Sequence, residues 1–211
     1  MLEIRLTNAA KRFQYDWIFR HLDLHAKPTD KIAITGSNGS GKSTFLKCLA
    51  GINPFTEGET EYSLEQRSIS DNEVYRHLSI SAPYMELPEE FTLLELLGFH
   101  FNFKTPYQGI QLKEMIKVMY LEDAINKQVS HFSSGMKQRL KLGLCFFSNT
   151  SLLLLDEPTS NLDRRGSEWY QELVHAYGQD RTIFVASNDP GEYEFCTEHL
   201  SIEDHKIKKS R

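Results

Sequence analysis

Ile32-Ala33-Ile34-Thr35 runs straight into Gly36-Ser37-Asn38-Gly39-Ser40-Gly41-Lys42-Ser43, and the reading of this stretch decides the fold. A short apolar run, a glycine-rich turn and a stretch from Lys42 to about Leu49 closed by Gly51 predict a strand, a tight loop and a helix. The spacing fits G-x-x-x-x-G-K-[ST], and it sits in the strand-to-helix context that gives the motif its meaning. Glycines let backbone N–H groups turn inward and cradle phosphate oxygens at a positive helix end. Ser37, Asn38, Gly39, Ser40 and Gly41 are therefore expected to wrap a phosphate chain. Lys42 supplies a point charge to the β- and γ-phosphates, Ser43 offers a hydroxyl to Mg²⁺, and Thr44 lies beside them.

Farther along the chain, Leu152-Leu153-Leu154-Leu155 ends in Asp156-Glu157. A fully apolar run of this length reads as a central parallel strand. Two carboxylates at its end fall on the open edge of the sheet, where ligands bind in α/β folds. Asp156 is expected to hold Mg²⁺ through its hydration shell, and Glu157 to orient or deprotonate the attacking water. Thr182–Ala186 is a second strand of this kind, with a helical pattern from Ser167 to Tyr177 between the two. Alternating strands and helices imply a parallel α/β sheet.

Residues 2–7 alternate apolar and polar, and Ile18–His25 behaves similarly; both read as half-buried strands of an antiparallel sheet. From Phe91 to Val129 the pattern turns helical, opening on Thr92 with Glu95 three residues on, a capping box. The phosphate motif occurs once.

Between the two halves of the site stands Phe132-Ser133-Ser134-Gly135-Met136-Lys137-Gln138-Arg139, at the start of a helical run. Alone it is a generic helix cap and anion site. The order of phosphate loop, helical insert, serine-glycine motif, LLLLDEPTSNLD and late strand resembles the ATP-binding cassette ATPases, over essentially the whole chain. That resemblance implies an α/β fold: a P-loop NTPase core with a parallel sheet, an N-terminal antiparallel β subdomain and an inserted α-helical subdomain. Residues 1–82 and 149–211 would form the core with its β subdomain, and 83–148 the helical insert. The family's signature reads LSGGQ where this chain has FSSGM, so Ser133 and Gly135 match and the other three positions differ. By resemblance these two bind the γ-phosphate held by an opposite subunit, Asp163 belongs to a loop contacting that subunit, and Phe13 stacks on adenine, with Trp17 the weaker choice.

Two positions depart from the family. Where it has a glutamine touching Mg²⁺ and the attacking water, this chain has Tyr84; where it has a histidine on the γ-phosphate, it has Asn188. An asparagine amide still donates a hydrogen bond, whereas a phenol is a poor Mg²⁺ ligand. Tyr84 is therefore expected to order the water or to pack against the insert.

At 211 residues, 40% hydrophobic and 25% charged, the composition is that of a globular protein. A net charge of -5 argues against a broad nucleic-acid footprint. No run approaches the roughly 20 apolar residues of a membrane helix, and MLEIRLT lacks a signal-peptide layout. Cys48, Cys145 and Cys196 are isolated, as in a reducing compartment. The basic tail Lys206–Arg211 reads as a solvated terminus.

The resemblance thus implies an ATP-hydrolysing subunit with ATP and Mg²⁺ as cofactors, forming a homodimer around two nucleotides. It would drive a separate transmembrane permease subunit from the cytoplasmic face of the membrane, with no nucleic acid involved. Leu96, Leu97, Phe99, Phe101 and Phe103 make the insert rich in apolar surface, which either forms part of a docking groove or packs the insert's own core. The alternatives are a soluble cassette ATPase, which in translation usually carries two cassettes and in DNA repair a long coiled coil, and a regulatory subunit with little turnover.

Overall fold

The computed structural model describes residues 2–206; the remainder of the basic tail, 207–211, lies outside them. In chain order the elements are β1 (Leu2–Phe13), β2 (Asp16–Ala26), β3 (Lys31–Thr35), α1 (Lys42–Leu49), β4 (Glu57–Leu64), β5 (Arg67–Ile69), β6 (Leu78–Ser81) and α2 (Leu93–Phe101). There follow α3 (Leu112–Val118), α4 (Ser134–Phe146), β7 (Leu152–Asp156), α5 (Arg164–Tyr177), β8 (Thr182–Ala186), α6 (Pro190–Tyr193) and β9 (Glu198–Ser201).

Two sheets form. One is antiparallel, in the order β2-β1-β4-β5, and the other has five parallel strands in the order β6-β7-β8-β3-β9. Strand side chains alternate between faces, so the apolar run of β7 feeds two cores at once. Leu153 and Leu155 join Ile183, Val185 and Ala33 in a cluster completed by α2, α3, α4 and α5. Leu152 and Leu154 join Phe184, Ala186, Ile32 and Ile34 in a second cluster, with α1 and the antiparallel sheet. All four leucines are fully buried, each worth about 2 kcal/mol in transfer from water. Burial on both faces explains why this strand reads as continuous Leu.

The fold class expected from sequence is the one observed. The capping box also forms: Thr92 Oγ1 accepts from the Glu95 amide at 3.3 Å, and Glu95 Oε2 accepts from the Thr92 amide at 2.8 Å. Two strands extend beyond their expected bounds, β1 to Phe13 and β2 back to Asp16. Register shifts after Leu6 break the alternation that marks them in sequence, leaving Ala9 and Ala10 both buried. Strands β4, β5 and β9 have no counterpart in the sequence reading. Only Tyr62 of β4 is fully buried, so backbone pairing with β1 defines that strand without a hydrophobic pattern. Among the described residues, no helix is long and apolar enough to cross a membrane. All three cysteines are buried free thiols, pushed up to about 11 for Cys48 and about 12 for Cys145 and Cys196, with burial the largest cause.

Candidate active site

The loop after β3 carries the phosphate motif, the end of β7 carries Asp156 and Glu157, the segment after β8 carries Asn188, and the segment after β6 carries Tyr84. Because these strands are parallel neighbours in one sheet, all four segments emerge at the same edge.

Within the phosphate loop, Lys42 is 5% exposed and folds back, its Nζ donating to the Gly36 carbonyl at 2.7 Å and the Ser37 carbonyl at 3.3 Å. The loop closes through the Ser40 amide on the Ser37 carbonyl at 2.9 Å. Gly39 has φ 75° and open space where a Cβ would stand, leaving the loop's tip bare backbone. Gly41 has φ 115°, and a Cβ there would meet Ile18 Cγ2 at 2.3 Å, so the glycine lets α1 start hard against β2. Ser40 Oγ is buried with no partner, a polar atom that a phosphate oxygen would satisfy. Thr44 is half-buried on the first turn of α1. Ser37 donates its amide (2.9 Å) and hydroxyl (2.5 Å) to Glu203 Oε1, so both groups face a protein carboxylate. The Ser37 hydroxyl bond is the largest cause holding the Glu203 carboxyl below its usual range. Glu203 follows β9, a strand missed in sequence, and carried no signal of its own.

Asp156 is 2% exposed. Burial pushes its carboxyl above the usual range, opposed by a hydrogen bond from Ser43 and by the charges of Lys42 and Lys47. Its Oδ2 has no partner, which leaves a carboxylate oxygen and the Ser43 hydroxyl together as hard donors. This set fits Mg²⁺, which binds through one or two carboxylates and keeps its other positions for water and phosphate. Glu157 is exposed at the strand's end with φ 44°, its amide donating to the Ala186 carbonyl at 2.9 Å. A left-handed glutamate costs about 1–3 kcal/mol, strain of the kind that collects at functional sites.

Asn188 Nδ2 donates to Asn38 Oδ1 at 2.7 Å, joining the segment after β8 to the phosphate loop. A cavity of about 320 Å³ lies between Asn38, Glu157, Ser160 and Asn188. Buried Glu192 holds its back wall, accepting from the Thr159 amide at 2.6 Å and the Thr159 hydroxyl at 2.5 Å. The sequence reading did not name it.

Ser133 caps α4, its side chain accepting from the Met136 amide at 3.2 Å. A Cβ on Gly135 would stand 3.3 Å from the Asn161 carbonyl, and Gln138 Nε2 donates to the Pro158 carbonyl at 2.6 Å. The serine-glycine segment is thus tied to the loop after Glu157. Among the described residues, no hydrogen bond joins Ser133 or Gly135 to the phosphate loop. Asp163 caps α5 by accepting from the Gly166 amide at 2.8 Å. Phe13 is 46% exposed, with Lys11 Nζ 4.8 Å from its ring centroid. Trp17 carries two guanidinium groups over its ring, Arg12 at 4.9 Å and Arg20 at 4.2 Å, and is less exposed than Phe13.

Tyr84 is 39% exposed, and its ring lies 3.7 Å from the Nζ of Lys47 on α1. Burial, and then the nearby charge of Asp156, push its phenol well above the usual range. Tyr84 therefore lies near enough to the carboxylate site to feel the charge of Asp156, and its ring meets Lys47 of α1.

Residues 19–160 match the family model described as ABC transporter. The chain is 29% identical over 208 residues to the bacitracin transport ATP-binding protein BcrA of Bacillus licheniformis, covering 94% of this chain and 66% of that protein. It is 33% identical over 174 residues to the thiamine import ATP-binding protein ThiQ of Histophilus somni, covering 81% of each. Among solved structures, the bacterial ABC transporter cassette MJ0796, a dimer, superposes with a TM-score of 0.78 at 23% identity, covering 94% of both chains, a likeness of fold. With a matching family model across most of the chain and the expected motifs on one sheet edge, this chain belongs to the ABC transporter family, whose members bind ATP.

Proposed function

We propose that this chain is the ATP-binding and ATP-hydrolysing subunit of an ABC membrane transporter. It would pair with a second copy around two MgATP and work on a separate transmembrane subunit at the cytoplasmic face. The observation that carries the reading is the meeting of Lys42, Ser43, Asp156, Glu157 and Asn188 at one edge of the parallel sheet. In this reading residues 83–148 form the helical unit, and 1–82 with 149–211 the nucleotide-binding core.

Lys42 and the loop amides would hold the phosphates, and Phe13 the adenine. Ser43 and Asp156 would hold Mg²⁺, which supplies charge neutralisation on the phosphates when bound. Glu157, exposed and free of a side-chain partner among the described hydrogen bonds, would orient the attacking water. Asn188 would leave Asn38 to donate to the γ-phosphate. Ser133 and Gly135, with no hydrogen bond to their own phosphate loop among the described residues, would meet the nucleotide of the partner subunit, which is why closure would need two copies. Hydrolysis would then let the copies part.

Docking has a surface to use. Leu96 and Leu97 are buried in the core, but Phe99 (47%) and Phe103 (75%) are exposed and meet edge to face with ring centroids 5.2 Å apart. They lie beside a groove of about 370 Å³ bounded by Tyr75, Met85, Leu87, Phe99 and Lys141. An amphipathic segment of a membrane subunit would fit it.

The test is Glu157→Gln, which keeps shape and removes the base. Hydrolysis should fall by about 10²-fold or more with ATP affinity retained, and ATP-dependent dimers should accumulate. Turnover at the unsubstituted rate would remove Glu157 from the reaction. The low-turnover alternative has its own support in Tyr84 and Asn188, and a steady-state ATPase assay of the unsubstituted chain decides it.

A further inference from the structure

Lys47 follows Lys42 by five residues, at the far end of α1, and nothing in the phosphate motif assigns it a role. Its ammonium stands 3.7 Å above the Tyr84 ring, well inside the range of a cation–π contact, and among the described residues it forms no ion pair. It is also close enough to Asp156 to oppose the rise in that carboxyl. The charge of Lys47 thus meets an aromatic face and also acts on the carboxylate that ends β7.

The tyrosine belongs to the segment that leaves β6 for the helical insert. Lys141 of α4 secures the near end of this segment, its Nζ donating to the Ala82 and Pro83 carbonyls at 3.3 Å each. Met85, Glu86, Leu87 and Pro88 then form one wall of the groove beside Phe99. Among the described residues no hydrogen bond or ion pair joins that wall to the helix grown from the phosphate loop, and the Lys47–Tyr84 stack is the contact seen there; the Lys141 bonds connect the wall to α4.

We propose that Lys47 is a positioning residue. Its ammonium pins the Tyr84 ring beside Asp156 and so ties the groove wall at 84–88 to the phosphate-loop helix. This deepens the proposed function and rests on it for its consequence: a shift of α1 reaches the docking groove through the Tyr84 ring. A glutamine at position 84 could hydrogen-bond to groups at the site but has no aromatic face to offer an ammonium, so the stack belongs to this chain's departure from the family pattern.

The experiment uses the full chain and begins without nucleotide, so that the contact is tested apart from hydrolysis. Hydrogen exchange of the amides of Tyr84–Leu87 is compared in Lys47→Met, Lys47→Arg, Tyr84→Leu, Tyr84→Phe and the Lys47→Met/Tyr84→Leu double variant. Methionine keeps the stem and loses the charge; phenylalanine keeps the ring and loses the hydroxyl. Exchange should speed about fivefold in Lys47→Met and in Tyr84→Leu, and no further in the double variant. Lys47→Arg and Tyr84→Phe should exchange as the unsubstituted chain does. In ATPase assays Lys47→Met should lower kcat about fivefold while KM for ATP stays within twofold. Equal exchange in Lys47→Met and the unsubstituted chain, or additive effects in the double variant, overturns the proposal. A chain that hydrolyses no ATP overturns the proposed function instead, and the exchange comparison still decides the stack.

Discussion

Two glycines of the phosphate loop should respond to the same substitution in opposite ways. At Gly41 an alanine meets two costs. Its φ of 115° is foreign to an L side chain, about 1–2 kcal/mol, and its methyl would lie 2.3 Å from Ile18 Cγ2, an overpacking of about 1–3 kcal/mol. The sum, about 2–5 kcal/mol, corresponds to a fall in Tm of roughly 4–20 °C for a chain of this size. At Gly39 the φ of 75° costs about 1 kcal/mol, and no atom lies within 4 Å of the new methyl, so Tm should fall by only about 2–4 °C. Yet that methyl stands at the bare tip of the loop where phosphate would approach, and ATP affinity should drop about tenfold or more. Calorimetry of each variant, paired with equilibrium ATP binding, separates the two. Comparable losses of Tm in both variants, or full ATP affinity in folded Gly39→Ala, would refute the assignment of Gly39 to binding and Gly41 to packing.

Asn188→Ala should lower kcat by about 10- to 100-fold, the worth of one charge-assisted hydrogen bond, with ATP binding and Tm little changed because the residue is exposed; an unchanged kcat would leave the position idle. His100, which lines the groove, is lowered to about 4 from 6.5, first by burial and then by the charge of Lys104. The unfolded chain therefore binds more protons between those values, and stability is present above pH 6.5 and drains away as pH falls toward 4. Urea unfolding at pH 7 and pH 5 should show His100 contributing about 1–2 kcal/mol of the difference, and His100→Gln should remove that share; an identical pH slope in the variant would rule it out.

The parts of the fold that could be read from sequence are those where burial writes a pattern. Ile32–Ile34, Leu152–Leu155 and Ile183–Ala186 are apolar because both faces of the parallel sheet are covered, and Thr92 with Glu95 announces a helix through its own capping bonds. Strand β4, EGETEYSL, escaped because one buried tyrosine among charges carries no period. The edge strand β9, EHLS, escaped because none of its four residues is buried. At the site, the phosphate loop and the two carboxylates were legible because their chemistry is local and contiguous. Glu203, Glu192 and Lys47 were not: each reaches its partner across 166, 33 and 37 residues of chain respectively, and a single surface-type residue gives no sign of such a meeting.

The order of the parallel sheet has a further consequence. Strand β8 lies between β7 and β3, so the backbones of those two strands are held two strand spacings apart, about 10 Å, while β6 and β7 are one spacing apart, about 5 Å. These intervals are laid down by backbone hydrogen bonds that no side-chain replacement alters. The molecule therefore carries a fixed ruler beneath exchangeable tips: the side chain at position 84 or 188 can be replaced without moving the strands that carry the phosphate loop and the carboxylates. Replacements at the tips can retune speed and coupling while the gauge between the strands stays constant.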